Sequence, residues 1–437
     1  MANIIDYINW RGDLPVNAAF PWNELDDLVM ARASYLPFEQ LFGKKPEQEE
    51  AAAPLADNMQ DSAVNWEDPE NRIDSASDRI DQNQVLPLFI AAARMAAMPS
   101  EVFHFREDPK LVAALADSRR YQPLTVSDYV EHTQDEKQEQ FAAVTIHLPN
   151  REMYLSFRGT DASLIGWKED FNMAFQTHIP AQIEALRYVQ LISRKFPHEM
   201  MRLGGHSKGG NIAMYAAFYM PERTKTRVLA VLNYDGPGFM SDIMEEKKED
   251  TVIDRFRVYI PQESVVGRLL EMSVVPTVVY SESSNVHQHN IYNWQVMKDR
   301  FIRAENLTGG SEILDESLKQ WLEETSPEQR QIFVDGLFDV VSTTNAKTVR
   351  EMGFGILKNF PGLVKQYRSI SEEDRKTIMS MLQLFGKSYA GAFMNYRRQQ
   401  TDTPTQEEAQ IQEAATNTEQ VPGQASFTPL PDSTGER

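Results

Sequence analysis

Residues 203–219 read LGGHSKGGNIAMYAAFY, and this stretch decides the fold class. It places Ser207 in a G-x-S-x-G pentapeptide, with Gly205 and Gly209 two residues away on either side. A serine on a strained turn between a strand and a helix needs neighbours without side chains at these two positions. Apolar residues precede the turn and small residues such as Ala213 follow it, which predicts a strand, a sharp turn and a helix packed closely on a sheet. The alternative is a glycine-rich turn at a helix start that binds phosphate or only turns the chain.

Strand-like and helix-like segments alternate on both sides of this turn. The segments predicted as strands are 141–148, 153–158, 227–234, 256–260 and 274–280, and those predicted as helices are 85–98, 181–196 and 211–219. The first two strands form a predicted hairpin through Pro149 and Asn150, and Pro276 favours an edge position for the last. This alternation predicts an α/β fold with a mostly parallel sheet and helices on both faces.

The remaining segments differ in composition from this core. Residues 312–398 have helical patterns only, which predicts a C-terminal all-helical region without an assigned role. Residues 46–78 hold ten acids and one base, and residues 401–437 hold seven acids and one base. The predicted organisation is therefore an α/β domain over 1–300 with an acidic flexible insertion at 46–78, a helical subdomain over 312–398 and a disordered acidic tail over 399–437.

The overall composition excludes several functions. There are 44 Lys+Arg against 64 Asp+Glu, a formal charge of −20, and most of the excess lies in the two acidic segments. This balance argues against a nucleic-acid partner. The absence of cysteine excludes disulfides, thiolate metal sites and a cysteine nucleophile. We expect a cytoplasmic protein, because the sequence has neither a standard export signal nor an apolar run long enough to span a membrane.

A serine nucleophile needs a histidine base and an acid that orients it. In sheets of this type these residues follow the order serine, acid, histidine, and only His287 and His289 come after Ser207. His206 adjoins the nucleophile, but we expect its side chain to point elsewhere. Two acids follow predicted strands, Asp235 in NYDGPG and Glu263 in IPQESVVG. The residues alone do not choose between the two histidines or between the two acids.

Acyl transfer also needs hydrogen-bond donors for the oxyanion. The backbone N–H of Lys208, directly after the serine, is one candidate. The strand in YLSFRGTD ends at Gly159 and Thr160, and the loop that follows could supply a second donor.

Taken together, FRGTD, GGHSKGG, NYDGPGF and the QHN at 288–290 resemble the class 3 lipase-like branch of the α/β hydrolases. The N-terminal NIIDYINWRGD and LDDLVMARASYLPF are similar to a bacterial family of lipase-like (Mbeg-like) proteins. The resemblance covers residues 3–300 apart from the acidic insertion. It implies an α/β-hydrolase fold and a serine hydrolase that acts on carboxylic esters.

The resemblance also implies roles for particular residues. Ser207 falls on the nucleophile, Thr160 on an oxyanion donor, Glu263 on the acid and His289 on the histidine, while Trp167 and Asp170 match structural positions. Because the family usually has aspartate at the acid position, Asp235 remains the alternative. Lys208 replaces a usually apolar residue, so its cation either lies beside the acyl pocket or points to solvent.

The sequence therefore predicts a soluble serine hydrolase that acts on a small-molecule or lipid ester and needs neither metal nor organic cofactor. A related hypothesis keeps the chemistry but changes the bond to a thioester or a phospholipid acyl ester. The alternative from another class is a hydrolase-fold scaffold or binding protein with little or no catalysis. The oligomeric state is not predicted.

Overall fold

The structure, a computed structural model, describes residues 2–42, 84–134, 139–160, 164–305, 307, 309–342 and 369–402. The predicted acidic insertion at 46–78 and residues 403–437 of the predicted tail lie outside these ranges. Residues 399–402, also predicted as disordered, instead form the end of the last helix.

The described residues form the following helices and strands, each numbered in chain order. The helices are α1 Ile4–Arg11, α2 Glu24–Ala33, α3 Glu39–Phe42, α4 Leu88–Ala96, α5 Asp108–Asp117, α6 Leu164–Asn172, α7 Pro180–Lys195, α8 Lys208–Tyr219, α9 Glu222–Lys225, α10 Ser241–Lys247, α11 Gly309–Glu323, α12 Pro327–Ser342 and α13 Glu372–Asp402. The strands are β1 Val85–Pro87, β2 Thr125–Gln134, β3 Glu139–Leu148, β4 Glu152–Phe157, β5 Met200–His206, β6 Val228–Tyr234, β7 Phe256–Pro261, β8 Thr277–Val279, β9 Val296–Met297 and β10 Arg300–Phe301.

The central sheet has eight strands in the order β1 to β8, so neighbours in the chain are neighbours in space. Strands β1 to β4 pair antiparallel, and β4 to β8 pair parallel. The predicted hairpin is confirmed as β3 and β4, and the predicted edge strand as β8. The parallel half matters most here, because the carboxyl ends of its strands share one edge, where ligands bind in such sheets.

Helices cover both faces of the sheet, as the sequence predicted. Successive side chains of a strand point to opposite faces, and β4 shows this clearly. Tyr154 packs into the core formed with α1, α2, α4 and α5, whereas Met153 and Leu155 pack into the core formed with α7 and α8. The segment predicted as helix 85–98 differs at its start, where residues 85–87 pair with β2 as β1, and at its end, where the helix stops at Ala96.

The C-terminal region is helical throughout its described part, as predicted. Helices α11 and α12 both pack against α13, and the Nε1 of Trp321 donates to the carbonyl of Met381 at 3.1 Å. Helix α11 begins at Gly309, three residues before the predicted boundary. The division of the chain into separate domains stays a prediction. In the described ranges, no helix combines the length and apolarity that crossing a membrane requires.

A buried ion pair joins two N-terminal helices to each other and to a later segment of the chain. The guanidinium of Arg32, in α2, contacts both carboxylate oxygens of Asp108 at 2.7 Å, and both side chains are almost fully buried. The hydroxyl of Tyr292 donates to the same carboxylate at 2.7 Å. The pair therefore joins α2, the first residue of α5 and the segment that precedes β9.

We predict that Asp108→Asn lowers the free energy of unfolding by about 3–5 kcal/mol, because Arg32 is left as a buried cation without its counter-ion. Urea unfolding measures the change. Asp299→Asn is the matched control, since its pair with Arg300 lies on the surface and such pairs contribute about 0–1 kcal/mol. Equal losses in the two variants would contradict the assignment.

Candidate active site

Ser207 lies on a strained turn between β5 and α8. Its backbone has φ 59° and ψ −134°, a conformation that non-glycine residues rarely adopt. A Cβ on Gly205 would lie 2.3 Å from the carbonyl oxygen of Phe157, and one on Gly209 would lie 2.2 Å from the same oxygen. Both glycines are therefore required by the close approach of β4. The serine is held at the carboxyl edge of the parallel strands, as the pentapeptide predicted.

Asp235 is the acid that contacts His289. The Nδ1 of His289 lies 2.7 Å from Oδ2 of Asp235. Because a carboxylate only accepts hydrogen bonds, Nδ1 is the donor in this bond, and Nε2 is the ring nitrogen that is left to act on a proton of the nucleophile. The other oxygen of Asp235 accepts from the hydroxyl of Ser264 at 2.5 Å and from the N–H of Gly267 at 3.1 Å. The structure thus selects His289 over His287 as the histidine with an orienting carboxylate.

Asp235, the alternative acid, makes this bond to His289 rather than Glu263, the preferred one, and strand order explains why. His206 and Tyr234 are register partners in β5 and β6, so the residues that follow them, Ser207 and Asp235, leave adjacent strands side by side. A Cβ on Gly236 would lie only 2.2 Å from the carbonyl oxygen of Ser207. Glu263 follows β7, which is one strand further from the serine.

The segment that contains Glu263 supports the loop that carries His289. The backbone N–H of Glu263 donates to Oε1 of Gln288 at 2.9 Å, and Ser264 bonds to Asp235. Gln288 directly precedes His289, and its carbonyl accepts from the Nε1 of Trp294 at 2.8 Å. These bonds hold the loop that carries the histidine.

His206 and Tyr35 are site residues that the sequence reasoning missed. The ring centroids of His206 and His289 lie 4.4 Å apart, and Nε2 of His206 donates to the carbonyl of His289 at 2.7 Å. Burial, with His289 and Arg32 nearby, holds the pKa of His206 well below its usual value, so the ring is neutral. Its Nδ1 then accepts from the hydroxyl of Tyr35 at 3.2 Å. His206 was expected to point away from the site, and it lies against it.

Tyr35 also reaches the strand that leads to Thr160. Its hydroxyl oxygen accepts from the backbone N–H of Gly159 at 3.1 Å. One buried hydroxyl therefore joins the end of β4 to the histidine that precedes Ser207. No sequence motif marks Tyr35, although it lies in the N-terminal segment ARASYLPF that carried part of the family resemblance.

Thr160 is held by Asp170 of α6. The hydroxyl of Thr160 lies 2.7 and 2.6 Å from the two carboxylate oxygens. Burial raises the pKa of Asp170 to about 6, against the opposing effects of Lys208 and of the bond from Thr160. Asp170 was predicted as structural, and the geometry gives it a specific contact, the side chain of a candidate oxyanion residue. Trp167 is in α6 too, but its side chain is not among those described.

Lys208 does not point to solvent, which was one of the two expectations for its cation. Its ammonium group lies inside the protein, 2.5 Å from Oε2 of Glu169 and 3.0 Å from the carbonyl of Gln140. Oε1 of Glu169 accepts from the N–H of Ala181 at the start of α7. The backbone N–H of Lys208 has no intrahelical acceptor, because Lys208 is the first residue of α8. That N–H is the second candidate oxyanion donor.

Among the described residues, one cluster has the composition of a metal site, and it lies apart from the turn. Donor atoms of His132, Glu139 and Glu184 lie within 4.8 Å of one another. These groups already have protein partners, since His132 bonds to Glu139 and Glu184 pairs with Arg187. The cluster is explained as two ion pairs, one between β2 and β3 and one within α7.

The parallel sheet with helices on both faces and a strained serine at the turn from β5 to α8 define the α/β-hydrolase fold. A family model described as Mbeg1-like matches residues 115–339, just over half of the chain. The chain belongs to the Mbeg1-like family. No curated protein matches it.

Solved structures similar to the chain include fungal lipases, at low similarity. A fungal lipase–inhibitor complex is 13% identical, with a TM-score of 0.30 over 45% of this chain and 78% of that one. A Rhizomucor miehei lipase–propeptide complex is 14% identical, with a TM-score of 0.28 over 39% and 58%. A lipase from Yarrowia lipolytica is 11% identical, with a TM-score of 0.27 over 48% and 81%.

The raised pKa of Asp170 predicts a pH-dependent stability. The folded protein keeps this proton up to about pH 6, whereas the unfolded chain loses it near 3.8. The folded state therefore binds more protons in this window, and the free energy of unfolding falls as the pH rises through it. The Asp170→Asn variant has no titrating group at this position. Its free energy of unfolding minus that of the native chain should therefore rise between pH 4 and pH 7 by on the order of 1–3 kcal/mol.

Urea unfolding at several pH values measures this difference. The control is Asp299→Asn, which removes an exposed carboxyl that lies on the surface beside Arg300. If native chain and Asp170→Asn differ by a constant amount across the window, Asp170 does not titrate as proposed.

Proposed function

We propose that this chain is a serine hydrolase that cleaves carboxylic esters. The observation that carries the proposal is the bond between Asp235 and His289 at the sheet edge where Ser207 occupies its strained turn. Strained backbone at a polar residue is often kept for function, because such a conformation costs on the order of 1–3 kcal/mol. A turn that only binds phosphate would need neither a serine nor an oriented histidine beside it.

The reaction proposed for these residues has two halves. The Ser207 hydroxyl attacks the ester carbonyl carbon while Nε2 of His289 takes its proton, and the imidazolium is stabilised by Asp235. The oxyanion of the tetrahedral intermediate accepts hydrogen bonds from the N–H groups of Thr160 and Lys208. The intermediate expels the alcohol, which receives the proton from His289. Water then attacks the acyl-serine by the same route and releases the acid.

The nucleophile is tested with a fluorophosphonate probe and p-nitrophenyl esters of increasing acyl length. We expect the native chain to be labelled and to turn over, and Ser207→Ala to lose labelling and at least ~10³-fold in turnover. Ser193→Ala is the matched control, because this buried serine of α7 bonds to the carbonyl of Gln190 and should keep labelling and turnover. If the native chain is inert to probe and esters while folded, the scaffold hypothesis is favoured and the hydrolase proposal fails.

The acid is tested by comparing Asp235→Asn with Glu263→Gln. An asparagine at 235 donates to Nδ1 of His289 and leaves its proton on Nε2, which cannot then act as a base. We therefore expect kcat to fall about 10³- to 10⁴-fold, as for acid removal in other triads. Glu263→Gln should change kcat less than about tenfold, since its backbone N–H keeps the bond to Gln288. The reverse order of effects would restore Glu263 as the acid.

A further inference from the structure

Helix α6 lies between the candidate oxyanion residues and the C-terminal helical region. On one side, Glu169 bonds to Lys208 and Asp170 bonds to Thr160. These are the two residues whose N–H groups are proposed to bind the oxyanion. A movement of α6 would therefore disturb the side-chain contacts of both residues, so what holds α6 in place matters for the site.

On its other side, α6 is held by α12. The ammonium of Lys168 lies 2.9 Å from Oδ1 of Asp335. The rings of Phe171 and Phe338 meet edge to face with their centroids 5.8 Å apart. Lys168 and Phe171, which contact α12, stand directly before and after Glu169 and Asp170, which contact the site. The same short helix thus joins the site to the helical region.

The strongest contact comes from Arg330, which is 8% exposed. Its NH1 donates to the carbonyl of Ala174, just after α6 ends, at 2.5 Å. NH2 donates to the carbonyl of Thr325 at 3.3 Å, beyond the end of α11. A cation at these positions faces the negative ends of two helix dipoles and satisfies carbonyls that have no intrahelical partner. Arg330 therefore caps α6 and α11 together.

We propose that α12 is a clamp on α6, with Arg330 as its main positioning residue, and that the helical region thereby sets the geometry of the oxyanion hole. The clamp deepens the proposed function and rests on it for the catalytic half of its test. It gives a role to a region that the sequence left without one. Loss of the clamp should lower the rate of the chemical step more than it weakens substrate binding, because the donors act on the oxyanion and not on the ground state.

The first test compares Arg330→Met, Arg330→Lys and the native chain with a p-nitrophenyl ester. We expect Arg330→Met to lower kcat at least ~10-fold with KM changed less than ~3-fold, and Arg330→Lys to recover most of the loss. Lys376→Met is the control, because it removes a cation from an exposed pair with Glu372 on α13. A folded Arg330→Met variant with native kcat would overturn the proposal.

A charge swap tests the clamp independently of Arg330. Lys168→Glu and Asp335→Lys each place like charges against one another and should each loosen α6, whereas the double variant restores an attractive pair. We expect kcat to fall in both single variants and to recover in the double variant. A loss in the double variant equal to the sum of the single losses would show that the two residues do not act as a pair.

Hydrogen exchange separates failure of the clamp from failure of the proposed function. Amides 164–174 should exchange faster in Arg330→Met than in the native chain, while those of α8 stay protected. Unchanged exchange over 164–174 would refute the clamp whatever the activity. If this exchange rises but no form of the protein hydrolyses esters or labels at Ser207, the clamp stands and the hydrolase proposal is the part that fails.

Discussion

The close packing of β4 against the turn from β5 to α8 is the constraint on which the rest of the structure depends. The carbonyl oxygen of Phe157 occupies the space that a Cβ on Gly205 or Gly209 would need. This contact lets α8 begin directly over the sheet edge and forces Ser207 into its positive-φ conformation. The backbone N–H of Ser207 is nevertheless satisfied, since it donates to the carbonyl of Tyr234 at 2.9 Å. The strain is therefore local, since the pairing of β5 with β6 continues up to the turn.

The sequence predicted those features that are encoded by neighbouring residues. The turn at Ser207 follows from two glycines at fixed spacing, and the α/β architecture follows from alternating periodicities. The choice of acid could not be made in this way. It depends on the register between β5 and β6, which places Asp235 beside Ser207. Family likeness favoured Glu263 because it compares positions along a chain, whereas the hydrogen bond depends on positions across a sheet.

The contacts that could not be predicted from the sequence join residues that are far apart in the chain. Tyr35 meets His206 across 171 positions, and Lys208 meets Glu169 across 39. Neither Tyr35 nor Glu169 stands in a pattern that marks chemistry. Lys208 was expected as a pocket or surface cation because the family resemblance places an apolar residue there. A buried lysine is rare unless it is paired, and its partner Glu169 is recognised only in the structure.

The buried pair of Lys208 and Glu169 serves to fix the position of α6 rather than to raise the free energy of unfolding. Two apolar side chains of similar volume would fill the same space, often at no loss of stability, since burying two charges costs much of what their attraction returns. An apolar contact, however, tolerates sliding, whereas this pair also engages the carbonyl of Gln140 and the N–H of Ala181. Its geometry therefore fixes α6 against β3, α7 and α8 at once. Asp170, the next residue of α6, contacts the hydroxyl of Thr160. Two adjacent residues therefore fix the position of α6 relative to the turn at Ser207, which an apolar interface alone would not specify.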